Sequence, residues 1–324
     1  MKNILITGAG GFIGSHLTER LVELGYNVTA FIRYNSKNNW GWLEGSKYLK
    51  DIKVICGDIR NYDSVKNAMK GIDTVFHLAA LIGIPYSYVS PSAYINTNIE
   101  GTYNILQAAL ELGAERVVHT STSEVYGTAQ FIPITENHPI NPQSPYAASK
   151  AAADYLALSY YKSFDLPVII LRPFNTYGPR QSARAIIPTI ITQIISGKKE
   201  IKLGNVYSTR DFNYVTDTVE AFIEISKCDC AVGMIINAGS GIEISIENLV
   251  KEISSILDID IRIKQEKKRI RPEKSEVMRL VCDSTLLKKL TKWEPKHDLY
   301  SGLKLTVEWI KDNLSMYKAD LYNI

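Results

Sequence analysis

Cysteine and histidine are scarce in this chain, with four and five among 324 residues. Cys56, Cys228, Cys230 and Cys282 form no CxxC pair, and no histidine falls near them at a zinc-ligand spacing. That leaves no basis for a metal centre or a disulfide framework, and the thiols read as reduced and structural in a cytoplasmic protein. No apolar run is long enough to span a bilayer, and the first apolar segment starts at position 4, so neither an anchor nor a leader is expected. Charge of either sign is not in excess. The 37 Lys and Arg against 34 Asp and Glu leave +3, too little to argue for nucleic acid or membrane binding. The basic stretch 262–274 reads first as a solvated face.

What is present is ordinary for a globular enzyme: 45% hydrophobic residues can bury a core without staples. At this length one large domain with a smaller lobe is the natural organisation. Short runs at 4–7, 28–32, 53–56, 74–78, 116–120 and 168–171 are rich in Val and Ile and do not alternate, as expected of parallel strands buried on both faces. Amphipathic segments lie between them; one sets Ile13, Leu17, Leu21 and Leu24 along one helix face. That alternation predicts an α/β fold, a doubly wound parallel sheet of the Rossmann type. After Arg172 the pattern changes to helices near 186–196, 216–227, 246–257 and 299–313 with short strands between them. The expected division is a dinucleotide-binding domain over 1–172, with 205–230 returning to it. The smaller α+β substrate lobe is then 173–204 with 231–324. No internal repeat or low-complexity tail is visible.

The segment ILITGAGGFIGSHL sets Gly8, Gly11 and Gly14, with Phe12 and Ile13 between the last two, where the first strand passes into the first helix. Glycines there make the turn, let the backbone approach a pyrophosphate and let helix pack on strand. The anion then sits on the free amides of the helix N-terminus. At the end of the second strand an acid would hold the ribose 2′-OH of NAD, and an arginine would pair with the 2′-phosphate of NADP. The chain has Arg33 there and no acid, so the NAD(P) reading leans to NADP.

Tyr146 and Lys150 form YxxxK and share one helix face, behind Ser144 and Pro145 as N-cap and first-turn proline. Tyr62/Lys66 and Tyr300/Lys304 fit the same pattern, but Tyr146 follows the fifth-strand segment HTSTSEVYG by the expected interval, and the end of that strand is where a doubly wound sheet presents reactive groups. A phenol with a pKa of about 10 is a poor base at neutral pH. An ammonium and a cationic nicotinamide beside it would lower that value, so that Tyr146 takes a hydroxyl proton while the carbon is oxidised. Thr122, Ser123 and Glu124 complete the candidate catalytic set.

The GxxGxxG spacing, Asp58 after the third strand and the run His77, Leu78, Ala79, Ala80 after the fourth resemble the extended short-chain dehydrogenase/reductase family. The resemblance runs from the N-terminus to beyond Trp309. It implies that Asp58, Ile59, Leu78, Ala79 and Ala80 line the adenine and ribose pocket, and that Thr122 or its neighbour holds the reacting hydroxyl. A 4-epimerase needs only that hydroxyl, the tyrosine and the lysine; a carboxylate at Glu124 points to more. TSTSEVYG resembles the nucleotide-sugar 4,6-dehydratases, in which C4 oxidation acidifies C5, a carboxylate removes that proton, water leaves from C6 and hydride returns there. The dTDP-glucose branch has Asp-Glu at this point and the GDP-mannose branch has Ser-Glu, as here. Without the Asp, Glu124 serves as both base and acid. Nucleotide-sugar decarboxylases such as those for UDP-glucuronate carry a similar Thr-Ser-Glu, and they need a cation for the C6 carboxylate. Arg180, Arg184 and Arg210 leave that role open.

The segment RPFNTYGPR and the motifs RDFNYV and RP match family segments that hold the nucleotide diphosphate. By that resemblance Tyr86, Asn175, Arg180, Arg210 and Arg271 are substrate-binding candidates, guanidinium forks being suited to phosphate. YNSKNNWGWL, ALIGIPYSYVSP and RPFNTYGPRQSARAIIPTIITQI are similar to the legionaminic-acid-pathway 4,6-dehydratases, which implies GDP-N-acetylglucosamine as the nucleotide sugar. The same resemblance implies a homodimer or higher homo-oligomer pairing helices near 93–112 and 145–164. Trp40 and Trp42 have no assigned role beyond packing.

Overall fold

The computed structural model describes residues 2–319, 321 and 322. A seven-stranded sheet runs in the order β3-β2-β1-β4-β5-β6-β10, all parallel. Its strands are β1 (Asn3–Thr7), β2 (Asn27–Arg33), β3 (Ile52–Gly57), β4 (Thr74–His77), β5 (Arg116–Thr120), β6 (Val168–Pro173) and β10 (Ile235–Ala238). The non-alternating apolar runs have a direct cause. Ile4, Ile6, Phe76, Val118 and Ile169 face one hydrophobic layer, and their neighbours Leu5, Val75, Val117 and Ile170 face the other. Each face is covered by helices, so both sets of side chains leave water. Helices Phe12–Glu23 and Val215–Ser226 close the first layer, Gly101–Leu112 and Pro145–Phe164 the second. This is the α/β Rossmann fold expected from the sequence.

Chain order along the sheet reverses between β1 and β4, both of which pair with their neighbours in register (Ile4 opposite both Val28 and Thr74). A crevice opens at the C-terminal ends of strands at such a reversal. Helix Phe12–Glu23 buries Leu17 and Leu21 as the periodicity requires, but Leu24 is 42% exposed. The helix ends at Glu23, Leu24 is its C-cap, and Gly25 turns the chain at φ +83.

The lobe holds a three-stranded sheet, β11-β9-β7, and a two-stranded one, β12-β8. These strands are β7 (Asn175–Tyr177), β8 (Glu200–Leu203), β9 (Thr209–Tyr214), β11 (Glu243–Ser245) and β12 (Arg262–Gln265). Helices Ile186–Ile195, Ile246–Leu257 and Leu299–Asp312 pack on them through Ile190, Ile191, Leu249, Ile253 and Leu303. The division differs from the sequence boundaries at two points. Residues 209–214 pair within the lobe, so the chain rejoins the large domain only at Val215. It stays there past 231, because Ile235–Ala238 pairs with β6 as the seventh strand, and Leu287 and Trp293 pack into the same core. A short strand in a run of loops carries too little pattern to be assigned to one sheet or another. Among the described residues no helix is long and apolar enough to cross a membrane.

Trp40 and Trp42 acquire a place here. The Trp42 amide donates to the Gly10 carbonyl at 3.0 Å, and a Cβ on Gly10 would meet the Trp40 carbonyl oxygen at 2.5 Å. The Trp42 indole stands edge-on to Trp309 of the lobe, centroids 5.4 Å apart. The loop after β2 therefore ties the glycine turn to the lobe. A double-mutant cycle of Trp42→Leu and Trp309→Leu, followed by urea unfolding, is expected to give a coupling of about 0.5–1.5 kcal/mol. Simple additivity would show that the ring contact contributes nothing.

Candidate active site

The glycine turn is shaped by close approach. Gly8 leaves β1 at φ +71, its amide donates to the Phe31 carbonyl, and a Cβ there would meet the Ala79 nitrogen at 2.9 Å. A Cβ on Gly14 would collide with the Gly8 carbonyl oxygen. Gly11 caps helix Phe12–Glu23 with no side-chain hydrogen bond, so the first-turn amides of Phe12 and Ile13 are available to an anion. Thr7 Oγ1 accepts from the Ala79 amide at 3.1 Å and lies 2.8 Å from His77 Nδ1, fixing the end of β4 against the end of β1. This cradle suits a dinucleotide pyrophosphate, since a side chain at Gly8 or Gly14 would fill it or displace its wall.

Further along the crevice, Arg60 clasps the Asp58 carboxylate through Nε at 3.0 Å and Nη2 at 2.5 Å. The Arg60 hydrogen bonds, with a smaller contribution from Arg33, hold that carboxyl below its usual range. Ile59 is buried, its carbonyl accepting from Asn104 Nδ2 at 2.8 Å. Ala80 continues the strand-end segment into Leu81, which is held on both sides by Asn98: Leu81 N to Asn98 Oδ1 at 2.8 Å, and Asn98 Nδ2 to the Leu81 carbonyl at 2.9 Å. Asn98 sits in a π-helical turn, Ile95–Glu100, and also donates to Ser149 Oγ. Sequence reading missed it; the signal was a polar INTN run ahead of an apolar helix. Such π turns recur at functional sites.

The candidate catalytic residues come from two elements. Beyond β5, Thr122 caps a short 3-10 turn, Ser123–Tyr126, its Oγ1 accepting from the Glu124 amide at 3.2 Å, and Thr122, Ser123 and Glu124 are all buried. Helix Pro145–Phe164 starts as expected, with Ser144 Oγ accepting from the Ala147 amide and Pro145 in the first turn. It buries Tyr146 to 8% exposure and Lys150 to 3%. Burial pushes the Tyr146 phenol well above its ordinary value; the Thr122 side chain opposes this, and the charge of Glu124 adds to it. Burial also brings the Lys150 ammonium down to about 8, with Asp154 opposing. Thr122, Glu124, Tyr146 and Lys150 thus meet across one strand end. A cation held beside Tyr146 is what would make its phenol a base at neutral pH.

On the lobe side, Tyr86 stacks toward Tyr94 and Tyr94 toward Tyr146, with centroids 6.2 Å apart in each pair. Asn175 Oδ1 is buried with no protein partner, as an acceptor kept for a ligand would be. Arg210 is buried, and Arg210 Nη2 and Arg271 Nη1 each lie 3.7 Å from Glu276 Oε1. Burial lowers the Arg210 value while Glu124 and Glu276 oppose it, which places Arg210 within electrostatic reach of the Glu124 carboxylate. Glu276 was not singled out from sequence; it lies four residues past the Arg271-Pro272 motif, which was read for its arginine alone. Arg180 is engaged elsewhere, its guanidinium bound to both Glu19 oxygens and to Ser15 Oγ on the first helix. Within the basic stretch, Arg269 and Lys268 pair with Glu266, which also meets Lys202 of β8.

Comparison with known proteins agrees with this geometry. The family profile described as GDP-mannose 4,6 dehydratase matches residues 5–306. A dTDP-D-glucose 4,6-dehydratase of Homo sapiens is 32% identical over 324 residues, covering 98% of this chain and 92% of that protein. An Arabidopsis thaliana trifunctional protein, UDP-glucose 4,6-dehydratase/UDP-4-keto-6-deoxy-D-glucose 3,5-epimerase/UDP-4-keto-L-rhamnose-reductase, is 33% identical over 320 residues; they are 96% of this chain but only 47% of that longer protein. The crystal structure of DesIV, a dTDP-glucose 4,6-dehydratase from Streptomyces venezuelae with NAD and TYD bound, has a TM-score of 0.89 at 29% identity, covering 98% of this chain and 99% of that one. With the glycine cradle, the Tyr146–Lys150 helix and the Glu124 strand end in one crevice, the chain belongs to the nucleotide-sugar 4,6-dehydratase family of extended short-chain dehydrogenase/reductases.

Proposed function

We propose that the chain is a 4,6-dehydratase of GDP-N-acetylglucosamine, working with NADP as a homodimer in the legionaminic acid pathway. The observation that carries the reaction type is the buried carboxylate of Glu124, close enough to Tyr146 for its charge to raise the phenol. An epimerase has no use for it. A dinucleotide held on the Gly8, Gly11 and Gly14 cradle supplies the redox chemistry at the sugar.

In this reading the Thr122 hydroxyl orients the C4 hydroxyl, and Tyr146, with Lys150 on the same face, takes its proton. A ketone at C4 makes the C5 proton acidic, and Glu124 removes it. With Ser123 in place of an aspartate, Glu124 returns that proton to the C6 hydroxyl, which leaves as water; a bound dinucleotide would supply both the oxidation at C4 and the reduction at C6, and with the Tyr146 proton passed back to C5 the net loss is one H and one OH. Asn175, Arg210 and Arg271 hold the diphosphate, with Tyr86 at the sugar end.

The finer choices rest on separate supports. Resemblance of the segments around Trp40, Tyr86 and Arg180 to the legionaminic-acid enzymes supports GDP-N-acetylglucosamine. Arg33 near Asp58, with no acid at the end of β2, supports NADP. Exposed Ile95, Tyr103, Tyr155 and Phe164 on the segments 95–112 and 145–164 support a homodimer through those helices.

Mass spectrometry of reactions with GDP-N-acetylglucosamine, UDP-N-acetylglucosamine, GDP-mannose, dTDP-glucose and UDP-glucuronate tests the reading. Loss of one water from the first alone is expected; loss of carbon dioxide from the last would instead identify a decarboxylase. Tyr146→Phe is expected to cut turnover about 10²–10⁴-fold while dinucleotide binding stays near wild type. Glu124→Gln should let reduced dinucleotide build up without water loss, and equal suppression of both steps would remove Glu124 from its role. Arg33→Ala should weaken NADP binding about tenfold or more in a fluorescence titration and leave NAD nearly unchanged. Equal loss for both dinucleotides would dismiss NADP.

A further inference from the structure

Beneath Tyr146 and Lys150 the same helix carries Asp154, four residues past the lysine and eight past the tyrosine, hence on the same face. Its carboxylate is 1% exposed. Asp154 Oδ2 accepts from Ser121 Oγ at 2.6 Å and from Arg172 Nε and Nη2 at 3.1 and 2.9 Å, while Oδ1 faces His119 Nε2 at 3.3 Å. These partners are not scattered. Ser121 is the residue before Thr122, and its amide is fixed to β6 through the Leu171 carbonyl at 2.7 Å. The Arg172 guanidinium lies 4.8 Å over the ring of Tyr126, which closes the turn holding Glu124. One carboxylate is therefore tied to the helix that carries Tyr146 and Lys150 and to the strand end that carries Thr122 and Glu124.

The charges around Lys150 give Asp154 a second task. The ammonium acts on His77 of β4 and His119 of β5, and on its own helix Tyr146 lies one turn before it and Asp154 one turn after, with Arg172 of β6 bound to the far side of Asp154. Burial, followed by the charges of His119 and Lys150, keeps His77 well below its ordinary value. Burial followed by Lys150 brings His119 to about 4 despite Asp154. Both imidazoles are thus neutral near pH 7, and Arg172 is a like charge. Asp154 is the carboxylate that sustains a cation there.

We infer that Asp154 is a positioning residue for the reaction, keeping Lys150 protonated beside Tyr146 and holding the Ser121–Thr122 strand end in register with the helix. The inference rests on the reading of Tyr146 and Lys150 given above and extends it to the support beneath them.

Asp154→Asn alone strands a buried Arg172 and endangers folding. The test therefore uses Asp154→Asn/Arg172→Gln, with Arg172→Gln as control, in protein labelled with 13C at the lysine ε-carbon and with the Lys150 signal assigned by its loss in Lys150→Met. The Lys150 titration midpoint is expected to fall by about one pH unit or more in the double variant and not in the control. An unmoved midpoint in the folded double variant overturns the inference. The alkaline limb of turnover, measured on the nucleotide sugar that loses water, should move to lower pH by a similar amount. A lowered midpoint with an unmoved limb keeps the Asp154–Lys150 coupling but refutes the role given to Lys150. Ser121→Ala leaves every charge in place; it is expected to lower kcat about tenfold with KM and the Lys150 midpoint unchanged. Unaltered kcat in that variant overturns the strand-positioning half.

Discussion

Parallel pairing of β1 with β4 brings the Gly8 backbone against Ala79 so closely that no Cβ fits between them. That contact marks where strand order reverses, and the crevice it opens is bounded by the glycine turn on one side and the ends of β4 and β5 on the other. The cofactor cradle needs the approach because an anion can reach the helix amides only if no side chain stands over the turn. The strand-end residues Thr122 and Glu124 enter the same crevice because β5 lies beside β4. Loss of the close approach would alter the cradle and the reacting groups together.

Burial then sets the chemistry, and in the free protein it opposes the charged forms. Tyr146 is driven toward the phenol and Lys150 toward the amine, since each charge loses its water when the helix packs on the sheet. The fold answers with Thr122 beside Tyr146 and with Asp154 one helical turn beyond Lys150. Positive charge brought beside Tyr146 by a ligand would act in the same direction, favouring the phenolate. Arg210 shows the same logic: two carboxylates, Glu124 and Glu276, sustain a buried guanidinium.

The lobe is fastened to the large domain at places that serve the crevice. Arg180 reaches from the lobe segment to Glu19 and Ser15 on the helix that follows the glycine turn. Trp309 meets Trp42, whose amide is bound to Gly10. An arginine that looked like a phosphate ligand and a tryptophan pair that looked like packing therefore act at one boundary.

The chain's local pattern was enough for the sheet and for the ends of its strands. Apolar runs buried on both faces, glycines at the first turn, and Ser144 with Pro145 ahead of YxxxK are short-range features, written in consecutive residues. Tyr146 could be picked from three YxxxK matches because it alone follows the fifth-strand segment that carries Thr122 and Glu124. Distant residues meet only when the chain folds, and that decided the rest. Asp154 meets Ser121 and Arg172 through two strands, Glu276 reaches Arg210 of β9 from the loop that also carries Arg271, and Arg180 turns to Glu19 rather than outward. Ile235–Ala238 became the seventh strand because β6 offered an edge, which four residues could not announce by themselves. Spacing along the chain carries the periodicity of helix and strand, whereas pairing of buried charges depends on which elements become neighbours, and that is a property of the packed molecule.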